Sequence, residues 1–129
     1  MNDRLQFRIA REEDLPEIVR LLVQDQLGST REVLSDPLPQ VYLNAFNAMK
    51  TQPGNDYIIG IINERIVCCY QFTVIHGISR SGSSRAQIEG VRVDSDMRGL
   101  ASRPAISAIS LIFHNPIFSI IYIMRKLDI

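Results

Sequence analysis

The alternation of apolar and polar residues predicts a short strand and then an amphipathic helix at the start of the chain. Residues 6 to 9 alternate as a short strand. Apolar residues then recur at helical spacing over 15–22, with Asp14 in the capping position and Pro16 in the first turn. We predict that this first helix stops near Gly28.

A second helix and a hairpin are predicted next. The helix is expected to begin at Asp36-Pro37 and to end at Pro53-Gly54-Asn55, with an apolar stripe that faces the core or an interface: Leu38, Tyr42, Ala45, Phe46 and Met49. Two β-rich runs, 57–62 and 66–76, are joined by Asn63-Glu64-Arg65, which is typical of a hairpin. A polar Gly/Ser loop is predicted over 77–84.

The next strand runs from Ala86 to Val93 and ends at Asp94-Ser95-Asp96. Regular alternation would put one set of side chains on one face, namely Gln87, Glu89, Val91 and Val93. The other set would lie on the opposite face, namely Ala86, Ile88, Gly90 and Arg92.

The composition changes after residue 99. Residues 100 to 129 contain no Glu and no Gly, and an apolar run over 105–124 is interrupted by His114-Asn115-Pro116 and three serines. Three interpretations of this tail stay open: a buried helix plus strand, a disordered product of a reading-frame shift, and, ranked last, a membrane segment. We therefore divide the chain into a domain portion, 1–99, and an anomalous apolar tail, 100–129, that is part of the same domain or non-native.

The overall composition fits one small α/β (α+β) domain. The chain has 129 residues, of which 46% are hydrophobic and 22% charged, and this length allows a single core. The formal net charge is zero, so nothing favours a broad nucleic-acid surface. Asp3 and Arg4 precede the first strand where a signal peptide would carry an apolar stretch, which favours a cytoplasmic location.

The two cysteines are expected to pack in the core rather than to take part in chemistry. Cys68 and Cys69 are adjacent in a predicted strand, so their side chains should point to opposite faces. They lack the spacing of a zinc site, and we expect no metal. The preferred interpretation is two small apolar residues that stay reduced, with redox chemistry as the weaker alternative.

The segment from Ile88 to Gly99 resembles the central segment of the GCN5-related N-acetyltransferases, in which a strand of the Ile-Glu-x-Val-x-Val type leads into Gln/Arg-x-x-Gly-x-Gly/Ala. Phe7-Arg8-Ile9-Ala10-Arg11-Glu12-Glu13-Asp14 is similar to that family's first strand and first helix start. The segments 75–80 and 85–89 are similar to the ends of its two long central strands. The resemblance covers roughly residues 6–99, which is most of the chain. It implies a mixed, mostly antiparallel central sheet flanked by helices, with a C-terminal part that is incomplete or aberrant.

The resemblance also implies an activity, the direct transfer of an acetyl group from acetyl-CoA, as co-substrate, to an amine. Glu89 is the catalytic residue that it implies, removing a proton from the amine, commonly through a water. The cofactor-binding residues that it implies are Val91, Arg92, Val93, Arg98 and Gly99. The acceptor would be a small-molecule amine or a protein amine, with neither nucleic acid nor membrane as partner, and a homodimer could form through an exposed strand edge. Tyr122 does not match the context of the family's tyrosine acid and is not assigned.

The loop after Gly99 departs from the family pattern. Ala101 and Arg103 stand where the family has Gly and Gly or Ala, and Pro104 removes one backbone N–H. One explanation is a reading-frame shift near residue 100, since one added base in a suitable codon set would restore Leu-Gly-Ile-Ala. The other is divergence to an inactive acetyltransferase remnant or interaction module that lacks the pyrophosphate loop.

Several candidate residues also have a structural interpretation. Glu89 could be an exposed strand carboxylate paired with Arg85 or Arg92, and Arg98 a solvated turn residue. His76 is expected to be a satisfied surface histidine, and His114 in the tail carries less information still. Three acidic residues between the early helices could bind a cationic amine, although surface charge is the default interpretation: Asp25, Glu32 and Asp36.

Overall fold

In the part of the chain that the structure describes, four strands form an antiparallel sheet in the order in which they occur along the chain. The computed structural model describes residues 4–24 and 28–97. Its strands and helices are β1 (Gln6–Ile9), α1 (Leu15–Leu22), α2 (Gly28–Arg31), α3 (Gln40–Lys50), β2 (Asn55–Ile62), β3 (Arg65–Ile75), α4 (Ser79–Gly82) and β4 (Arg85–Val93). The four-residue α4 lies within the polar Gly/Ser segment that was predicted as a loop over 77–84. Short 3-10 turns over Glu12–Asp14 and Ser95–Met97 precede α1 and follow β4. The predicted mixed α/β fold with an antiparallel sheet is confirmed.

Several residues that carry the sequence-based predictions lie outside the described residues. They are Arg98, Gly99, the loop positions Ala101 and Arg103, and the apolar tail over 100–129. The division of the chain at residue 99 and the frame-shift hypothesis therefore stay predictions. Within residues 4–24 and 28–97, no helix is long and apolar enough to cross a membrane.

Helix α1 begins where the sequence predicts but ends earlier. Asp14 precedes it, and Pro16 lies in its first turn. The helix ends at Leu22, whereas Gly28 is the first residue of α2, so the predicted end near Gly28 is wrong. Just beyond the helix, Gln24 bonds to the end of β4, accepting from the backbone N–H of Ser95 at 2.9 Å.

The predicted start of the second helix at Asp36-Pro37 is wrong, because α3 begins at Gln40. A residue that precedes proline is disfavoured in the helical region, and this restriction applies to both Asp36 and Leu38. The helix can therefore form only after Pro39, which has φ −54° and ψ 136°. Within the predicted stripe, Phe46 is buried and Ala45 is exposed.

The predicted hairpin is confirmed as β2 and β3. Asn63 and Glu64 form its turn with φ of 48° and 65°, and Ile62 pairs with Arg65 across it. Two central residues with positive φ make a tight turn whose twist matches that of the two strands. Arg65, predicted as part of the turn, is the first residue of β3.

The sheet buries apolar side chains on both faces. On the face that we call the helix face, Ile59 and Cys69 pack with residues of α1 and α3, including Leu21 and Phe46. On the opposite face, Tyr70 and Ile88 form a second cluster, against which Phe7, Ile58, Phe72 and Val91 pack. The two adjacent cysteines lie on opposite faces, as predicted, and both are buried free thiols.

Candidate functional site

A β-bulge interrupts β4 in the middle of the segment that carries the predicted site. Glu89 pairs with Gln71, and Arg92 pairs with Cys69, so the pair Gly90 and Val91 on β4 spans a single residue of β3. Gly90 has φ +60°, a conformation that favours glycine. The backbone of Gly90 and Val91 therefore has no partner residue in the described β3 ladder.

The bulge changes which side chains share a face. Residues that pair directly across two strands project from the same side, so Glu89 and Arg92 both lie on the helix face with Gln71 and Cys69. Val91 packs with the opposite cluster, and Val93 pairs with Cys68 on that side. The predicted face of Glu89 with Val91 and Val93 is therefore wrong, as is that of Arg92 with Ile88, because the extra residue reverses the alternation.

The hydroxyl of Tyr57 lies beneath the bulge. It is 3.8 Å from Cys69 Sγ, and a Cβ added to Gly90 would lie 3.9 Å from it. Burial raises the pKa of Tyr57 well above its ordinary value and raises the pKa of Cys69 to about 12. Both groups therefore keep their protons at neutral pH, so the side chains beneath the bulge carry no charge.

Glu89 is exposed on β4, and its carboxylate accepts a hydrogen bond from the side-chain amide of Gln87. Gln71 lies directly opposite on β3. Glu89 is thus accessible to a ligand above the helix face. This placement is compatible with the predicted catalytic role, which stays a prediction.

The predicted cofactor-binding residues surround the same bulge where the structure describes them. Val91 and Val93 are half-buried, and Arg92 is half-buried and donates from Nη1 to the backbone oxygen of Val91 at 2.9 Å. Arg98 and Gly99 lie outside the described residues. The structure therefore brings Glu89 and the backbone of Val91–Val93 together within one short segment.

The end of β4 is held by a buried carboxylate that the sequence analysis treated only as the end of a strand. Asp94 is 0% exposed and accepts from Arg20 at 2.9 Å and from Arg65 at 2.8 Å. The backbone N–H of Asp96 donates to it at 3.1 Å. Burial opposes ionisation, but these three donors outweigh it and lower the pKa of Asp94 to about 2.

The remaining candidates lie away from the bulge or carry structural bonds. His76 is exposed with Nδ1 at 2.8 Å from Ser84 Oγ, so it is hydrogen-bonded at the surface. Glu32 is half-buried and accepts from the Tyr42 hydroxyl at 3.3 Å, and Asp36 is exposed in the loop before α3. Asp25, His114 and Tyr122 lie outside the described residues.

Sequence reasoning missed Tyr57 and Gln71 as neighbours of the bulge. Both belong to long β-rich runs that were assigned to a hairpin, and nothing local marks them as part of a site. One signal for the site was Gln71 itself. It is polar and lies two positions after the core residue Cys69, so it shares a face of β3 with that residue.

Several solved structures share this fold. A transcriptional regulator from Bacillus halodurans C-125 has a TM-score of 0.81 and 34% identity, covering 97% of this chain and 85% of that chain. An acetyltransferase from Trypanosoma brucei has a TM-score of 0.69 and 22% identity, covering 95% and 84%. A GNAT family acetyltransferase from Staphylococcus aureus has a TM-score of 0.68 and 10% identity, covering 95% and 87%. No protein-family model and no curated protein matches the chain.

The acetyltransferases among these structures agree with the resemblance seen in the sequence. The chain has the fold of the GCN5-related N-acetyltransferases. The Bacillus halodurans transcriptional regulator is similar to the chain in sequence as well, with 34% identity over nearly the whole chain.

Proposed function

We propose that this protein transfers an acetyl group from acetyl-CoA to an amine by direct attack. The observation that carries the proposal is the bulge at Gly90, which groups the exposed Glu89 carboxylate with the backbone of Val91–Val93. The acetyltransferases with the same fold support the general activity. The acceptor that we propose is a small-molecule amine or a protein amine.

Glu89 is the proposed proton acceptor. An alkyl ammonium has a pKa of about 10, so at neutral pH the acceptor must lose a proton before or during attack. The Glu89 carboxylate is exposed and accepts one hydrogen bond from the described residues, that of the Gln87 amide. It therefore keeps acceptor capacity for an ammonium or for a water that relays the proton.

The backbone around the bulge is the proposed site for the reacting carbonyl. Acetyl-CoA supplies a thioester whose carbonyl oxygen gains negative charge during attack, and aligned backbone N–H groups stabilise such charge. Gly90 and Val91 have no partner residue in the β3 ladder, and a glycine there lets a ligand approach the backbone closely. Arg92, Arg98 and Gly99 are the proposed contacts to the rest of acetyl-CoA.

We also propose a cytoplasmic location with no nucleic-acid partner. Cys68 and Cys69 are buried free thiols, which is typical of a reducing compartment. The formal net charge is zero, so the chain lacks the strong positive charge that attracts nucleic acid.

The first test is a thermal-denaturation titration of the full chain with acetyl-CoA. A ligand that binds the folded state stabilises it by about 2.7 kcal/mol at 100 times its dissociation constant, so a saturable rise in Tm is expected. A triple variant, Ala101→Gly, Ser102→Ile and Arg103→Ala, measures the contribution of the loop. The proposal fails if the folded chain shows no rise in Tm at any acetyl-CoA concentration.

The second test addresses the proton acceptor. Glu89→Gln should lower kcat by about 100-fold and leave the KM for acetyl-CoA unchanged, because it removes the base and keeps the shape. Glu64→Gln, an exposed carboxylate in the hairpin turn, is the matched control. Wild-type turnover in Glu89→Gln would exclude the role of Glu89.

A second candidate function is an interaction module without catalysis. The observation in its favour is the replacement of two glycine-type positions by Ala101 and Arg103. A chain that stays folded and gains acetyl-CoA stabilisation only in the triple variant would support this second candidate.

A further inference from the structure

The helix face of the sheet changes from apolar to polar at the bulge. Going along the strands, the rows of paired residues are Ile59, Cys69 and Arg92, then Tyr57, Gln71 and Glu89, then Asn55, Thr73 and Gln87. The last two rows contain five polar side chains that we call the polar platform: Asn55, Gln71, Thr73, Gln87 and Glu89. Four of them are half-buried, and Glu89 is exposed.

One amide holds this platform in place. Asn55 Oδ1 accepts from the Gln71 amide at 2.9 Å and from the Thr73 hydroxyl at 3.5 Å. The Asn55 amide in turn donates to Gln52 Oε1 at 2.7 Å. Because Gln71 uses an N–H on Asn55, its side-chain oxygen is directed away from that bond, and the network fixes this orientation before any ligand binds.

The side chains of the polar platform keep mainly hydrogen-bond acceptors free for a ligand. Among the described residues, no donor is bonded to the side-chain oxygen of Gln71 or of Gln87. The Glu89 carboxylate adds negative charge and two further acceptor oxygens. A ligand that matches this surface carries a positive charge and additional N–H or O–H donors.

We propose that the acceptor is a primary amine with a second donor, a hydroxyl or amide N–H group, close to the amine, and that Gln71 binds this second donor. The inference rests on the proposed function and narrows its substrate class. Directly paired side chains on neighbouring strands have Cβ atoms about 5 Å apart, which sets the spacing between the groups bound by Glu89 and by Gln71. That distance suits an amine and a donor on neighbouring carbons, as in an amino sugar or in the terminal residue of a peptide.

The test measures amine binding and turnover separately in the full chain. The probes are glucosamine for the hydroxyl source, glycinamide for the amide source and n-hexylamine as an amine without a second donor. Gln71→Met removes the acceptor oxygen and keeps the side-chain length, and Gln6→Met on the exposed edge of β1 is the matched control. Calorimetry gives Kd for each amine, and an acetyl-CoA assay gives kcat and KM.

Gln71→Met should weaken binding of glucosamine or glycinamide by about tenfold, the effect of one lost hydrogen bond, and leave n-hexylamine unchanged. The probe that loses affinity identifies the source of the second donor. The KM for acetyl-CoA should not move, whereas a general structural defect would change it as well. If Gln71→Met does not fold, Gln71→Asn serves as the second variant with the same expected direction, because it keeps the amide but draws the acceptor oxygen back by one methylene.

The inference is overturned if n-hexylamine binds as tightly as both polar amines, or if Gln71→Met binds all three like the wild type. These outcomes differ from failure of the proposed function. Amine binding that depends on Gln71 without any acetyl transfer would remove the enzymatic proposal and keep the ligand class. Acetyl transfer with no preference for a second donor would keep the enzymatic proposal and remove the proposed ligand class.

Discussion

Replacing the buried Asp94 carboxylate by its amide tests whether this residue stabilises the fold as its contacts indicate. Asp94 is 0% exposed, with Arg20 at 2.9 Å and Arg65 at 2.8 Å. Asp94→Asn keeps the shape of the side chain and removes the charge that both guanidiniums contact. Arg20 keeps a second partner, Glu17, at 2.7 Å, so its own charge stays compensated.

The lowered pKa sets the expected magnitude. The pKa of Asp94 falls from 3.8 to about 2 because the three donors outweigh the burial of the carboxylate. At about 1.4 kcal/mol per pK unit, the ionised form adds about 2 kcal/mol to the free energy of unfolding. Since the pKa is lower in the folded state, this contribution is complete above about pH 4 and is lost as the pH falls toward about 2.

Urea denaturation measures the effect at neutral and acidic pH. We expect Asp94→Asn to lower the midpoint by about 1 M urea at neutral pH with an unchanged slope, and the difference from the wild type to shrink below about pH 4. Asp96→Asn is the control, because the Asp96 side chain is 72% exposed and bonds only to Arg65 among the described residues. Its effect should stay under about 0.5 kcal/mol. Equal midpoints for the wild type and Asp94→Asn at neutral pH would refute the reasoning.

Two further predictions concern the sheet. Gly60→Ala should destabilise the protein by about 1–3 kcal/mol, since the new Cβ would collide with Cys68 Sγ and lie 3.0 Å from the Phe7 ring. Chemical denaturation checks this against Gly77→Ala, whose Cβ meets only Ser83 O at 3.4 Å, and a fully tolerated Gly60→Ala would contradict the packing. Cys68 and Cys69 should stay unreactive toward a disulfide reagent in the native chain, because burial raises their pKa values to about 11 and about 12. A colorimetric thiol assay with and without urea tests this, and rapid labelling of native protein would argue against it.

The strands and the hairpin were predictable because their signals are local. Runs of β-branched and aromatic residues on either side of Asn63-Glu64 determine β2 and β3 without reference to the rest of the chain. The start of α3 was missed although it is also local, since Leu38 and Pro39 restrict the backbone just before it. A helix that starts at Asp36-Pro37 leaves out the restriction that Pro39 places on Leu38.

The site was predictable only in part, because its geometry depends on distant partners. Resemblance pointed to the segment around Glu89, but alternation alone does not reveal a bulge, which becomes visible only against the register of β3. Asp94 bonds to Arg20 and Arg65, 74 and 29 residues away in sequence. No short stretch of sequence reports such contacts, so the sequence identifies Asp94 only as the residue at which a strand ends.

The bulge at Gly90 also gives β4 one residue more than the alternation of its side chains requires. If the same residues paired in step from Glu89 onward, every following side chain would move to the other side of the sheet. Arg92 would then enter the apolar cluster around Tyr70, and Val93 would lie beneath the helices. Deleting Gly90 would instead leave Arg92 opposite Cys69 and Val93 opposite Cys68, so the strand can lose a residue at the bulge without exchanging its core and site faces.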